Sequence, residues 1–225
     1  MFFFRQSPLI VRRIHSAKNE IYLTFDDGPT EDFTPRVLDL LKEADAKASF
    51  FVIGDEARKH SAILKRILEE GHGLFTHSLD HDYRHYFRRT PYVKNWIENS
   101  LADLNHQSGQ PHKAFRPPAG VITPPLVKAA EQLQCPLVLW NHRFFDTAHE
   151  FTEDKVQENL KHLQPGDIVL LHDRQKTVRQ DLFLKTLRKY LQDIQRQGYR
   201  CACLTDSVLQ EEVLHASHSR HHARS

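Results

Sequence analysis

Asp26-Asp27 and the pair His77 and His81, four residues apart, are the residue types in this chain best suited to hold a metal ion. Two histidines at that spacing share one side of a helical turn and can face one cation. Imidazole suits zinc and neighbouring divalent ions, and a carboxylate completes a three-ligand set with coordination positions left open for water and substrate. Two adjacent carboxylates repel each other, which favours a cation nearby. One of them can ligate it while the other takes a proton from a bound water. The chemistry suggested is metal-assisted hydrolysis. Plainer readings exist: Asp26-Asp27-Gly28-Pro29 also suits a turn or helix cap, and a histidine pair arises easily in a chain with 16 histidines.

The elements that must position these groups alternate between short β-type runs and helical patterns. Apolar runs predict strands over 21–25, 48–53, 73–75, 137–140, 167–171 and 200–204, with a further short run at Ala114-Phe115. Helical spacing covers 35–43, 62–70, 90–104, 125–133, 153–163 and 180–197, with Gly71 and Gly198 as stops. About seven parallel strands covered by helices follow from this alternation, as a barrel or an open doubly wound sheet. Asp26, Asp27, His77, Arg116, Asp146 and His172 each lie just after an apolar run. In α/β barrels, catalytic groups sit at the carboxyl ends of strands.

The 225 residues suit one domain, with 40% hydrophobic and 27% charged residues, ordinary for a globular chain. Thirty-one basic against 29 acidic residues leave no footprint for nucleic acid. The three cysteines form no C-x-x-C pair; Cys201 and Cys203 alternate along one run and are read as small buried hydrophobes. Apolar residues Phe2 to Phe4 and Leu9 to Val11 are interrupted by Arg5, Gln6 and Pro8, too short for a secretory or membrane-spanning segment. Residues 1–19 are therefore an N-terminal arm that packs on a catalytic domain over 20–214, the preferred reading, or lightly touches a membrane surface; with neither an export signal nor a membrane helix, the sequence reads as cytoplasmic. The His-rich end, 215–225, lacks apolar periodicity and is read as a disordered tail. Phe75, Trp96, Phe115 and Trp140 are read as core. Tyr83, Tyr86 and Phe87 fit either a sugar groove or a covering segment.

Four segments in order give the set a family likeness. Thr24-Phe25-Asp26-Asp27-Gly28-Pro29 resembles the first motif of the polysaccharide deacetylase family (the NodB homology domain, carbohydrate esterase family 4). His77-Ser78-Leu79-Asp80-His81 is similar to its His-(Ser/Thr)-x-x-His motif, Arg116-Pro117-Pro118-Ala119-Gly120 to its Arg-x-Pro-x-Gly motif, and Leu170-Leu171-His172 to its Leu-x-His motif. The resemblance runs from about residue 21 to 204 and implies a distorted (β/α) barrel. It implies a hydrolase removing N-acetyl groups from an acetylated amino sugar or polysaccharide, acting as a monomer, often at the cell envelope. Asp27, His77 and His81 would hold a divalent metal, zinc first and cobalt or nickel next. Asp26 would be the general base, oriented by Arg116, and His172 the general acid, supported by Asp146. A backbone N–H near Pro29-Thr30 would help stabilise the oxyanion.

The fourth motif departs from the pattern. Its common form is Asp-x-x-Asp-Trp, whereas this chain has Arg143-Phe144-Phe145-Asp146-Thr147. The second carboxylate remains, but Arg replaces the first and Thr the tryptophan, which leaves substrate preference open. Arg143 would meet an acidic group on the substrate or, the reading preferred from sequence, form a surface salt bridge. Alternatives to glycan deacetylation are a glycan-binding protein with decayed catalysis and a deacetylase of small acetylated amines. A non-haem iron oxygenase would use the same two histidines and carboxylate, but would leave Asp26 and His172 without roles.

Overall fold

A computed structural model describes residues 7–222, with side chains to 218. The apolar residues Phe2 to Phe4 and the extreme C-terminus lie outside the described residues. The elements, in chain order, are β1 (Ile10–Val11), β2 (Glu20–Asp26), α1 (Thr34–Glu43), β3 (Ala48–Val52), α2 (Gly54–Lys59), α3 (Ser61–Glu69), β4 (Gly73–Thr76), α4 (Thr90–Ser108), α5 (Pro124–Leu133), β5 (Leu137–Val138), β6 (His142–Arg143), α6 (Glu153–Leu160), β7 (Ile168–His172), α7 (Thr177–Arg196), β8 (Arg200–Cys201) and α8 (Asp206–His222).

Every strand pair is parallel, in the order β4-β3-β2-β7-β6, with β8 joining the start of β2 and β1 beside β5. Isolated parallel bridges from Thr76 to Phe115 and from Phe115 to Leu137 span the gap between β4 and β5. The chain from β5 to β6 then leads back to β7. The result is the distorted barrel implied by the family likeness.

The two-residue period of a strand explains what fills it. Leu23 and Phe25 of β2, Phe50 and Val52 of β3, and Val169 and Leu171 of β7 share one buried cluster with residues of α1 and α7. The intervening positions, Tyr22, Phe51, Phe75 and Ile168, belong to another, with Val138 and Leu204. The first set faces the covering helices and the second fills the barrel. Both faces of each central strand are buried, so β3 and β7 read as nearly unbroken apolar runs. On β2 and β7, Asp26 and His172 share parity with Tyr22 and Ile168 and therefore come up at the barrel's mouth, paired in register.

Helix ends follow local chemistry. Pro35 opens α1, Pro91 opens α4, and Gly109 closes α4 in the left-handed conformation (φ 71°). The short α2 went unread because Gly54 and Ala57 alone are buried on it. Strand β6 also carries no apolar residue to signal it. Strand β8 ends at Cys201, so Cys203 lies beyond it, half-buried rather than core, with its thiol 3.6 Å from the Gly71 carbonyl.

The ends of the described chain are joined. Strand β1 pairs with β5, and Arg13 reaches Asp167 and the Pro165 carbonyl. His15 donates its backbone N–H to Glu212 on α8, and its ring contacts the same carboxylate at 2.6 Å. Helix α8 continues through His222, where the sequence predicted disorder from 215. Its first turns are anchored by buried Leu209 and Glu212, and helix propagation from a packed nucleus costs little per added residue.

Candidate active site

The mouth of the barrel brings all seven sequence-predicted residues together. Asp26 ends β2 and Asp27 follows it, His77 follows β4, Arg116 follows the Phe115 bridge, and His172 ends β7. His81 lies four residues beyond His77, and Asp146 lies in the loop after β6. Adjacent strand residues normally point to opposite faces. Asp27 escapes this rule because its backbone is left-handed, with φ 74°. Both carboxylates can therefore reach one cleft. Ser78 (φ 74°), His81 (φ 56°), Ala119 (φ 52°) and Phe145 (φ 55°) are also left-handed around the mouth. Such conformations cost of order 1–3 kcal/mol each for a non-glycine residue and cluster where geometry serves a site.

The cleft has a volume of about 220 Å³ and is walled by Asp26, Asp27, His77, His81, Trp140 and His172, among others. Inside it, Asp27 Oδ1 lies 3.6 Å from His77 Nε2 and 3.3 Å from His81 Nε2. That oxygen is buried and has no hydrogen-bond partner. The other His77 nitrogen, Nδ1, is 2.9 Å from the Arg116 carbonyl, which can only accept. Its proton is thus held on Nδ1, and the Nε2 lone pair faces the carboxylate. Burial, the largest influence, depresses the His77 pKa and keeps the ring neutral. Burial would raise the pKa of Asp27, but His81, His77 and His172 outweigh it and hold the carboxyl ionised. An orphaned carboxylate oxygen facing two imidazole Nε2 atoms is a donor set that fits a divalent cation. A larger cavity, about 460 Å³, lies beside α5 and α8 and contains none of these seven groups.

Arg116 is fully buried and is held by its whole guanidinium group. It donates to Asp26 Oδ1 at 2.6 Å, Thr24 Oγ1 at 2.8 Å, the Val138 carbonyl at 3.1 Å and the Leu139 carbonyl at 3.2 Å. The group lies 3.7 Å from the Phe51 ring centre, with Trp140 5.7 Å away. One oxygen of Asp26 is thereby fixed, while the other, Oδ2, stands 3.6 Å from His77 Nε2.

His172 is held in the same manner from the other direction. Its Nδ1 is 2.9 Å from Asp146 Oδ1, and its backbone N–H donates to Asp146 Oδ2. Gln175 donates to that second oxygen at 2.9 Å. Burial alone would lower the His172 pKa, but the Asp146 hydrogen bond and the charges of Asp146, Asp26 and Asp27 raise it to about 9. Asp146 is 1% exposed, so this pair is shielded from solvent.

Several expectations change at the rim. Thr30 already donates its backbone N–H to Thr34 Oγ1 at 2.7 Å, and Pro29 has none, so neither of these two residues offers a free N–H for an oxyanion. Trp140 is not core: it lines the cleft and flanks Arg116. Tyr83 lines the cleft, Tyr86 is buried with its hydroxyl on the Pro118 carbonyl, and Phe87 is 89% exposed. Arg143 forms no ion pair among the described residues and instead stacks 3.9 Å over the Phe145 ring. Thr24 and Gln175 went unread as site residues, because a threonine inside a strand and a glutamine beyond one carry no distinguishing pattern.

Comparison with known proteins identifies the family. A family model described as polysaccharide deacetylase matches residues 13–138. A peptidoglycan-N-acetylglucosamine deacetylase of Bacillus cereus is 33% identical over 195 residues, covering 83% of this chain and 86% of that protein. One from Listeria monocytogenes is 35% identical over 195 residues, 86% of this chain but only 40% of the longer relative. The crystal structure of a peptidoglycan N-acetylglucosamine deacetylase in complex with a small-molecule ligand superposes with a TM-score of 0.77 at 31% identity, covering 87% of this chain and 91% of that one. From motif order, barrel and sequence match together, the chain belongs to the polysaccharide deacetylase family.

Proposed function

We propose that the protein hydrolyses the N-acetyl group of an acetylated amino sugar within a glycan, with Asp27, His77 and His81 holding a divalent metal, zinc foremost. The observation that carries this reading is the buried, unpartnered Asp27 Oδ1 facing two imidazole nitrogens, beside the Asp26–Arg116 and His172–Asp146 pairs. A cation held there would polarise the acetyl carbonyl and make a water molecule acidic enough to react at neutral pH.

Asp26 Oδ2 receives the proton of the attacking water, since Oδ1 is committed to Arg116. Arg116 holds Asp26 in orientation without itself meeting the substrate, being fully buried. Departure of the sugar nitrogen requires a proton, because an amide anion is too basic to leave. His172 supplies it from Nε2, while Asp146 holds Nδ1–H and stabilises the charged ring.

The relatives' names support a peptidoglycan-type polymer as substrate, which would place the reaction at the cell envelope. No helix among the described residues is long and apolar enough to cross a membrane. Zinc-loaded protein is expected to release acetate from N-acetylglucosamine oligomers or peptidoglycan fragments. Asp26→Asn abolishes that release while the metal content stays the same. Absence of release from every acetylated sugar, amine and O-acetyl ester tried would overturn the assignment.

A further inference from the structure

The fourth motif's two departures lie side by side at the cleft. Arg143 stands on β6 opposite Leu170 of β7, two residues before His172. That offset is roughly 7 Å along the strand. Thr147 also lines the cleft, where the family pattern has a tryptophan, so the wall is lower there. Beyond it an open groove of about 370 Å³ continues from the cleft, and Arg143 and Phe145 border both.

The charge of this second groove is one-sided. Its single carboxylate, Glu158, is tied to Lys161 at 2.7 Å and to His162 at 3.3 Å. Lys155 directs its ammonium to the Glu150 carbonyl at 2.8 Å, leaving its charge unneutralised by that contact. Arg143 has no carboxylate within ion-pair distance among the described residues. Its guanidinium rests on the face of Phe145, itself 49% exposed. Stacking on an aromatic face orients the planar fork and leaves its edge available for a bidentate anion.

We infer that Arg143, seated on Phe145 and admitted by the small Thr147, forms a carboxylate subsite that selects acidic glycans. The inference rests on the deacetylase reading and deepens it by naming the substrate class. The carboxylate belongs either to the acetylated sugar, as a lactyl ether, or to the neighbouring sugar, as a uronate. One opened wall and one added cation account for both departures together. A glycan-binding surface for neutral chains would need neither.

Calorimetric binding to zinc-loaded Asp26→Asn protein tests this without turnover. The probes are two matched pairs: an oligomer with a lactyl carboxylate on the acetylated sugar, one with a uronate on the next sugar, and the carboxamide of each. In one pair the acid is expected to bind about tenfold more tightly than its own amide, as for one bidentate charge-assisted contact at a partly exposed rim. The pair that shows it identifies the source of the carboxylate. The preference shrinks in about 0.5 M salt, falls to parity in Arg143→Gln and reverses in Arg143→Glu. Equal affinity for acid and amide in both pairs overturns the inference, as does a preference that survives Arg143→Gln or failure of every probe to bind. Acetate release by the zinc-loaded parent protein from these same oligomers and from neutral ones, measured separately, decides the underlying deacetylase reading.

Discussion

Replacing Asp146 with Asn is expected to separate proton delivery from every other part of the reaction. The carboxylate accepts three hydrogen bonds, from His172 Nδ1, the His172 backbone and Gln175. It is also the main influence raising the His172 pKa to about 9 against the opposing effect of burial. Without that charge, the ring returns toward its ordinary value of 6.5. At pH 7.5 the protonated fraction then drops from about 97% to about 9%, a roughly tenfold loss of the acid form. At pH 5.5 it is still about 90%, so the titration component of the defect disappears. Asn has one acceptor oxygen where three donors converge, which adds a pH-independent loss of up to about tenfold. The sign follows from the active form being the imidazolium: activity falls as pH rises through the His172 pKa. A bound divalent cation repels the imidazolium and lowers this limb in both proteins, so the comparison between them is decisive. The assay is kcat/KM for acetate release from a chitin oligomer between pH 5 and 10. The variant's alkaline limb should lie about 1–3 pH lower than in the parent. An unchanged limb, with activity merely scaled down, refutes His172–Asp146 as the acid pair.

Removal of the metal by a chelator should abolish acetate release, and zinc, cobalt or nickel should restore it. Asp27→Asn should lower zinc affinity in a competition titration by more than the roughly 10–100-fold typical of losing a partner that only orients a ligand, while Asp26→Asn retains it. Arg116→Ala leaves a buried carboxylate unpaired and should cost about 3–5 kcal/mol in denaturant unfolding. Arg116→Lys should be intermediate, because an ammonium cannot reach Asp26 and both carbonyls of Val138 and Leu139 as the fork does. Asp173 is buried beside Thr34, and burial, more than the charges of Asp27 and Asp26, raises its pKa to about 7. In chelated protein its neutral form contributes stability that is complete below the unfolded pKa near 4 and is lost as pH rises through 7. Asp173→Asn should flatten that slope, by up to about 4 kcal/mol between pH 4 and 8; the parent slope unchanged in the variant would contradict it.

The groups legible in the sequence were those for which residue type and strand end coincide. Asp26, His77 and His172 each close an apolar run, so both their chemistry and their place at the barrel mouth were readable. Trp140 was not, because a tryptophan after an apolar run looks like core whether it faces the helices or the cleft. The supports of Arg116 are largely backbone carbonyls, at Val138 and Leu139, which leave no mark in a residue string. The apolar pattern gave the central strands but missed β6, whose two residues are His142 and Arg143. Its pairing with β7 is set by tertiary context, and it places Arg143 in register beside the cleft. For the His-rich end, low apolar periodicity predicted disorder, whereas the packed start of α8 carries the helix on.

The backbone handedness at Asp27 makes two neighbouring, chemically identical residues non-interchangeable. Asp26 obeys the strand's alternation, and Asp27 reaches the same cleft by breaking it. Inserting or deleting one residue between Phe25 and Gly28 would therefore not shift a carboxylate pair along the strand; it would exchange the two environments and lose both. Glutamate at 27, although also an acid, would place its longer side chain on a backbone conformation that favours Asp, Asn and Gly. At this position the twenty-letter alphabet contracts to one residue that satisfies both the turn and the charge.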